Sequence, residues 1–281
     1  METICGPKIP LPVEWDNATE RTEKIKSKGE DEMRLHELIA ERVVFFDGAS
    51  GTMLQSAGLP AGMSPDMWNI ERADVIREMH RHYLEAGSDV ISAVTFRAGT
   101  FDEGDAQKIV AAAVENCREA IESYRADSAD ERPLFTALDI GPSGKLVGIA
   151  GGPDFSDAYE YFRTQVTAGA DAGADIILFE TFTDVYELKA AILAAREHTS
   201  LPVLATVTFE AGGRTMMGTD PETATLIFRD MGLTAFGVNC SLGPQEMLPV
   251  AQSIARYAAA SVMAQPNAGL PHIENGAAVY D

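Results

Sequence analysis

The strongest constraint on this chain is a phrase that occurs twice. Glu85-Ala-Gly-Ser-Asp-Val90 and Asp171-Ala-Gly-Ala-Asp-Ile176 are near copies, each setting a glycine between an amphipathic run and an apolar one. A glycine at that point closes a helix in the left-handed conformation, and the short apolar run after it has the character of a buried strand. Met231-Gly232 repeats the junction. From Met33 onward the pattern alternates. Apolar runs predict strands over Val43–Asp47, Asp89–Phe96, Leu134–Asp139, Asp175–Glu180, Val203–Phe209, Ala235–Cys240 and Val262–Gln265. Between them, amphipathic spacing predicts helices over Ala73–Ala86, Asp105–Tyr124, Ala158–Ala172, Val185–Glu197, Pro221–Met231 and Gln245–Tyr257. Strict alternation of apolar strands with helices means a parallel sheet covered by helices. So many units favour a barrel, and no Gly-x-Gly-x-x-Gly follows the first strand to suggest a dinucleotide-binding sheet.

The expected fold class is therefore α/β, a (β/α)8 TIM barrel lacking its eighth strand in this chain. After the seventh strand come Pro266-Asn-Ala-Gly269 and a polar tail. A barrel short of a strand has two open edges, a hazard for self-association. Either another segment closes it or the chain is a piece of a longer protein. Residues 1–32 read as a separate N-terminal arm or disordered extension: Cys5 to Pro12 is rich in proline and Asn17 to Glu32 almost wholly polar. Residues 33–281 form the barrel domain, within the size range of a single α/β-barrel unit.

Composition narrows the function. With 22 Lys and Arg against 43 Asp and Glu, the net charge is −21, which argues against nucleic acid and anionic membrane as partners. No run reaches the ~18 apolar residues of a membrane span, and no basic segment precedes an apolar one at the N-terminus. Three scattered cysteines make no disulfide framework. A cytoplasmic location is expected.

In a barrel of this kind the chemistry sits where strands run into the loops that follow them. Those ends carry Asp47, Thr95, Asp139, Glu180, Thr208, Cys240 and Asn267. One such acid alone reads as a satisfied structural group; a converging set reads as a site. Asp47-Gly-Ala-Ser-Gly-Thr52 offers two glycines and free N–H groups that could cradle a carboxylate. The alternative for it is a tight turn. Glu180 could bind an ammonium group, or serve as a cap or core hydrogen bond. A cradle and an acid together suit an amino acid. Cys240 ends its strand as a metal ligand, a nucleophile or a buried structural thiol. Cys117 falls on a helix as core. None of His36, His80, His82, His198 and His272 has metal-ligand spacing.

Taken in order, Asp47-Gly-Ala-Ser-Gly-Thr52, Tyr83-Leu-Glu-Ala-Gly-Ser-Asp-Val90, Thr95-Phe96, Asp139-Ile-Gly-Pro142, Phe179-Glu-Thr-Phe182, Gly237-Val-Asn-Cys-Ser-Leu-Gly-Pro244 and Pro266-Asn-Ala-Gly-Leu-Pro271 resemble the homocysteine S-methyltransferase family. The likeness is greatest to the N-terminal homocysteine-binding domain of cobalamin-dependent methionine synthases. It implies methyl transfer to the zinc-activated thiol of homocysteine, in methionine biosynthesis. It further implies a catalytic zinc on three cysteines, with Cys240 as the first ligand and catalytic residue. The other two form a Gly-Gly-Cys-Cys-Gly motif on strand eight, which this sequence does not contain. Asp47 and Gly48 match positions lining the homocysteine site, with Gly51, Thr52 and Thr95 beside them as substrate-binding candidates. Glu180 matches the acid facing the amino group, and Asn267 lies close to the metal position. Many relatives carry Thr-Asn-Thr-Phe where this chain has Ala93-Val-Thr-Phe96, so an amide has become Val94. The implied donor is methylcobalamin, brought by a cobalamin- and folate-binding module in trans or in sequence outside this chain; other relatives use betaine or S-methylmethionine. The alternative expectation is a zinc-less diverged or truncated homologue that binds an amino acid or a corrinoid protein without transferring methyl.

Overall fold

The computed structural model of the 281-residue chain describes residues 35–149, 151–268, 272–274 and 277–279. The arm expected over residues 1–32, with Cys5 on it, lies outside them. After a helix over residues 35–41 (α1), the described helices are α2 (Ser50–Ser56), α3 (Trp68–Glu71), α4 (Ala73–Ala86), α5 (Glu103–Asp127), α6 (Phe155–Ala172), α7 (Val185–His198), α8 (Pro221–Phe228) and α9 (Pro244–Tyr257). The strands are β1 (Val90–Ser92), β2 (Phe135–Ile140), β3 (Ile176–Phe182), β4 (Val203–Val207), β5 (Ala235–Asn239) and β6 (Ser261–Gln265), followed by β7 (His272–Glu274) and β8 (Ala277–Val279). β1 to β6 form one parallel sheet in sequence order, curled into a partial barrel with its helices outside.

The duplicated junction behaves as its sequence predicts. Gly87 and Gly173 cap α4 and α6 at φ 107° and 98°, a conformation in which a side chain would be strained. The third copy differs: α8 ends at Phe228, three residues before the expected Met231, while Gly232 still turns at positive φ. The first expected strand, Val43–Asp47, is reduced to a single parallel bridge between Phe46 and Val90. The second, expected over Asp89–Phe96, shortens to β1, because Thr95 N bonds back to Ala93 O and turns the chain. The polar tail contains a hairpin, β7 paired antiparallel with β8 and apart from the main sheet. The residues between them in sequence are Asn275-Gly276, the pair that favours a two-residue hairpin connection.

Side chains alternate across each strand. One set faces the helices: Leu138, Ile177, Phe179, Val203, Ala205, Phe236 and Val238 lie in the main core with α5, α6 and α7. The other set faces the barrel interior. At the bottom it is apolar, with Val90, Phe135, Ala137, Ile176, Leu178, Leu204, Ala235 and Met263 packed under Leu35 and Leu38 of α1. Moving up the same inward positions, β2 reaches Asp139, β3 reaches Glu180, β4 reaches Thr206 and then Thr208, and β5 reaches Gly237 and then Asn239. The interior is a dry plug at one end and polar at the other, which places the site at the C-terminal ends of the strands.

Candidate active site at the strand ends

Asp47 follows the Phe46 bridge and is clamped by the end of β1. Ser92 N and Ser92 Oγ donate to its two carboxylate oxygens, each at 2.8 Å. Burial nevertheless outweighs these bonds and pushes its pKa up to about 7. Asp139 is buried at the top of β2, and its Oδ1 has no hydrogen-bond partner. Burial, then the charges of Glu180, Asp47 and Asp66, hold this carboxyl well above the ordinary range. Burial also lifts Glu180 to about 7. Asp66 shares the environment but is engaged: Ser64 Oγ donates to it at 2.7 Å and Arg97 N at 2.9 Å. Asp47, Asp139 and Glu180 have no basic side chain among the influences on them. Buried acids without a cation remain protonated or wait for a cationic ligand.

A β-bulge aims Glu180. Between Phe179 and Phe182, β3 takes three steps while β4 takes two, from Ala205 to Val207. The extra residue bends the strand, as bulges beside active sites do. Thr181 lies in it at φ 65°, left-handed for a β-branched residue. Cys240 and Ser241, just past β5, are left-handed too, at φ 57° and 55°. Each such residue costs about 1–2 kcal/mol, so the surroundings must hold them there. The hold is Asn239, buried at the end of β5. Its Oδ1 accepts from Thr181 N at 3.0 Å, Thr206 Oγ1 at 2.9 Å and Thr208 Oγ1 at 3.3 Å. Its Nδ2 donates to Thr181 Oγ1 at 2.8 Å and to Cys240 Sγ at 3.3 Å. Thr181 Oγ1 also lies 3.7 Å from the same sulfur. Burial raises the Cys240 thiol pKa, the Thr181 hydrogen bond opposes the rise, and the charges of Glu180 and Asp139 add to it.

The sequence candidates divide. Glu180 acts electrostatically on Asp47, Asp139 and Cys240, Asp47 acts on Asp139, and Asp139 acts on Cys240. Thr95 does not present its hydroxyl to the site: Oγ1 donates to Asp139 O at 2.7 Å, joining the β1 loop to β2. Thr208 serves Asn239. Gly48 is exposed and lies under Tyr83, whose ring a Cβ there would meet at 3.0 Å; Tyr83 Oη donates to Ala49 O at 3.1 Å. Gly51 and Thr52 lie in α2, whose first turn has no side-chain cap. Asn267 is exposed, with its N–H on Leu242 O at 3.0 Å. Val94, the departure from the relatives' amide, is buried against Leu54 and Trp68. Away from the site, Cys117 lies in the core 3.4 Å from His80 Nε2, and burial drives that imidazole down to about 4.

Sequence reasoning passed over Asn239 and Asp66. The available signal for Asn239 was its place: a polar residue on an inward position directly before the strand-end cysteine.

A tight zinc site needs three or four protein ligands. Among the described residues no group of three or more His, Cys, Asp or Glu side chains could hold a metal. Cys240 is the one sulfur at the strand ends among them. These residues by themselves do not fit zinc.

The parallel sheet and the acid-and-thiol cluster at its C-terminal ends define the class of the protein. A family model described as homocysteine S-methyltransferase matches residues 44–281, and the chain belongs to that family. Methionine synthase from Mycobacterium tuberculosis is 31% identical over 262 residues, covering 88% of this chain and 22% of that protein. The Mycobacterium leprae methionine synthase is 30% identical over the same length and shares. The chain thus spans about a fifth of the length of these relatives. Among solved structures, the metallated homocysteine methyltransferase MmuM from Escherichia coli superposes with a TM-score of 0.75 at 21% identity, covering 84% of this chain and 88% of that one. Its apo form gives 0.72 at 23%, covering 84% and 86%. At that identity the likeness is one of fold. Among the described residues no helix is long and apolar enough to cross a membrane.

Proposed function

We propose that this chain binds homocysteine at the strand ends and presents its thiol for methylation to methionine. The observation that carries the reading is the set of uncompensated acids beside a strand-end thiol. Asp47, Asp139 and Glu180 are raised in pKa by burial, and Asp139 keeps an oxygen without a partner. An amino acid's ammonium is the cation such a cluster lacks, and a charged hydrogen bond there contributes about 1.5–3 kcal/mol. Glu180 is the ammonium acceptor in this reading. The uncapped first turn of α2, with Gly48, Gly51 and Thr52, faces the substrate carboxylate, and the substrate sulfur lies toward Cys240 and Asn267. Thr95 contributes by fixing the backbone of Asp139.

These residues bind and orient; the thiol must also lose its proton to become a good nucleophile. In the family as the resemblance describes it, zinc supplies that chemistry, and the described residues do not complete such a site. The open C-terminal face is where a corrinoid-binding module, in trans or in further sequence, would bring methylcobalamin. The single-sulfur donor set favours a second reading, an amino-acid-binding module without methyl transfer.

Calorimetric titration of the chain with L-homocysteine under reducing conditions tests both readings. Saturable binding is expected, weakened about 10- to 100-fold in Glu180→Gln, which keeps the shape and removes the charge. No binding by the parent chain would sink the proposal, and unchanged affinity in the variant would remove Glu180 from its role. Methionine formation from methylcobalamin by the parent would rule out the second reading.

A further inference from the structure

We infer that Asn239 is a positioning residue that fixes the Cys240 thiol and the Glu180 bulge with a single buried amide. The inference rests on the site proposed above, in which Cys240 and Glu180 serve one ligand.

The amide can face only one way. Thr181 N–H is a backbone donor and nothing else, so the atom 3.0 Å from it must be the acceptor Oδ1. The threonine hydroxyls at 2.9 and 3.3 Å then donate to the same oxygen. Nδ2 is left facing Thr181 Oγ1 and Cys240 Sγ, and both its hydrogens are used. Because Thr181 Oγ1 accepts from Nδ2, its own hydrogen is free for the sulfur 3.7 Å away. Cys240 Sγ therefore faces an amide donor and a hydroxyl donor. Both sit on a framework tying together β3, β4 and β5.

The same contacts hold the backbone. Thr181 is bonded at both its N–H and its hydroxyl, which keeps it left-handed at φ 65° and holds the bulge that carries Glu180. Cys240 follows Asn239 directly at φ 57°, and its N–H reaches across to Gln265 O at 3.1 Å. Moving the amide would move the sulfur and the acid together. Aspartate has the same shape but only acceptors when ionised, so Asn239→Asp would keep the Thr181 N–H bond and turn an oxygen toward the sulfur. A carboxylate oxygen where the amide donor stood repels the electron-rich sulfur and moves it from the position that the amide fixes, which slows its attack on a reagent.

The test is the alkylation rate of Cys240 by iodoacetamide in the folded full chain, read site by site by peptide mass spectrometry. Cys117, buried in the core, serves as the reference for folding. Asn239→Asp is expected to slow Cys240 tenfold or more, with Cys117 still protected. Thr181→Ala, which removes the hydroxyl that faces the sulfur and accepts from Asn239 Nδ2 but leaves the Thr181 N–H bond to the amide, is expected to slow it about threefold. Rates within twofold of the parent in both variants, or faster at Cys240 with Cys117 protected, would overturn the inference. An unfolded Asn239→Asp would give itself away by fast alkylation at both cysteines; Thr181→Ala then decides by the same criterion. A purely structural role for Asn239 lowers stability without slowing this reaction in the folded state. The readout needs no homocysteine. Failure of the parent to bind homocysteine would count against the proposed function alone, and failure of the variants to slow alkylation against this inference alone.

Discussion

The two flanks of the sheet are built differently, although the same alternating pattern predicts both. In β2, β4 and β5 every residue is buried, and β3 departs from that only at Glu180 and Thr181, the two that face the site. On the other flank β6 buries only Met263, while Val262 is 41% exposed. At the opposite edge of the sheet, beside β1, Val43 and Phe45 precede the Phe46 bridge and are 70% and 59% exposed. A strand gains its hydrophobic stabilisation only when both faces are covered and both edges paired. Asp139, Glu180, the bulge and Asn239 sit on the closed wall, while Asp47 follows the exposed segment and is tied to it through Ser92 of β1. Cys240 stands at its border, bonded through its N–H to β6, and Asn267 lies beyond on the exposed side. The half proposed to bind substrate is thus largely fixed by the core, while the half assigned to metal by the resemblance is not assembled by the described residues.

The largest expected effect breaks the closed wall. Phe162, Phe179 and Phe182 form an aromatic cluster between α6 and β3, with ring centroids 6.0, 5.7 and 6.1 Å apart and no exposure. Phe179→Ala leaves a cavity that well-packed neighbours cannot fill and is expected to cost about 3–5 kcal/mol in urea denaturation. A loss below about 1 kcal/mol would mean that this wall is no better packed than the open flank.

A smaller effect follows from the raised acids. Where a carboxyl has a higher pKa folded than unfolded, the native state holds more protons between the two values, so stability falls as pH rises through that window. For Glu180 the window runs from its ordinary 4.5 to about 7. Glu180→Gln removes this contribution. Relative to the parent it should gain about 3 kcal/mol of stability on going from pH 4.5 to pH 7.5, measured by denaturation at each pH. A pH-independent difference would show that the acid is well solvated or already paired.

Much of this was legible in the sequence. Short continuous apolar runs, with glycines at the junctions, located the strands and their polar ends, because burial on both faces leaves that mark. Register does not. That Thr206 and Thr208 of the neighbouring strand and Thr181 in the bulge converge on Asn239 depends on how β3, β4 and β5 align, and no local pattern carries it. Thr95 ends an apolar run and matches the family at the site, and the turn at Ala93, which aims its hydroxyl at the Asp139 carbonyl, leaves no mark in the sequence. Val43–Asp47 has the composition of a strand and forms only a bridge, since composition cannot supply the neighbour a strand needs. The hairpin was open to detection through Asn275-Gly276, but the flanking runs, His272–Glu274 and Ala277–Val279, are too short to read as strands.

The smallest expected effect is also the sharpest test of the open flank. Val262 has the residue type of a core strand and sits in the sheet between Ser261 and Met263, yet much of its surface meets solvent. Removing two methyl groups from a position with little around it leaves no cavity, so Val262→Ala should change stability by less than about 0.5 kcal/mol. The same substitution at Val238 of β5, which has no exposure, should cost several times more, about 2 kcal/mol or above. Both can be read from denaturation midpoints at several protein concentrations. A Val262 loss matching that at Val238 would show the flank covered in solution. If that loss also grew with concentration, the cover would be a second copy of the chain, set along the edge of β6 that no described strand pairs.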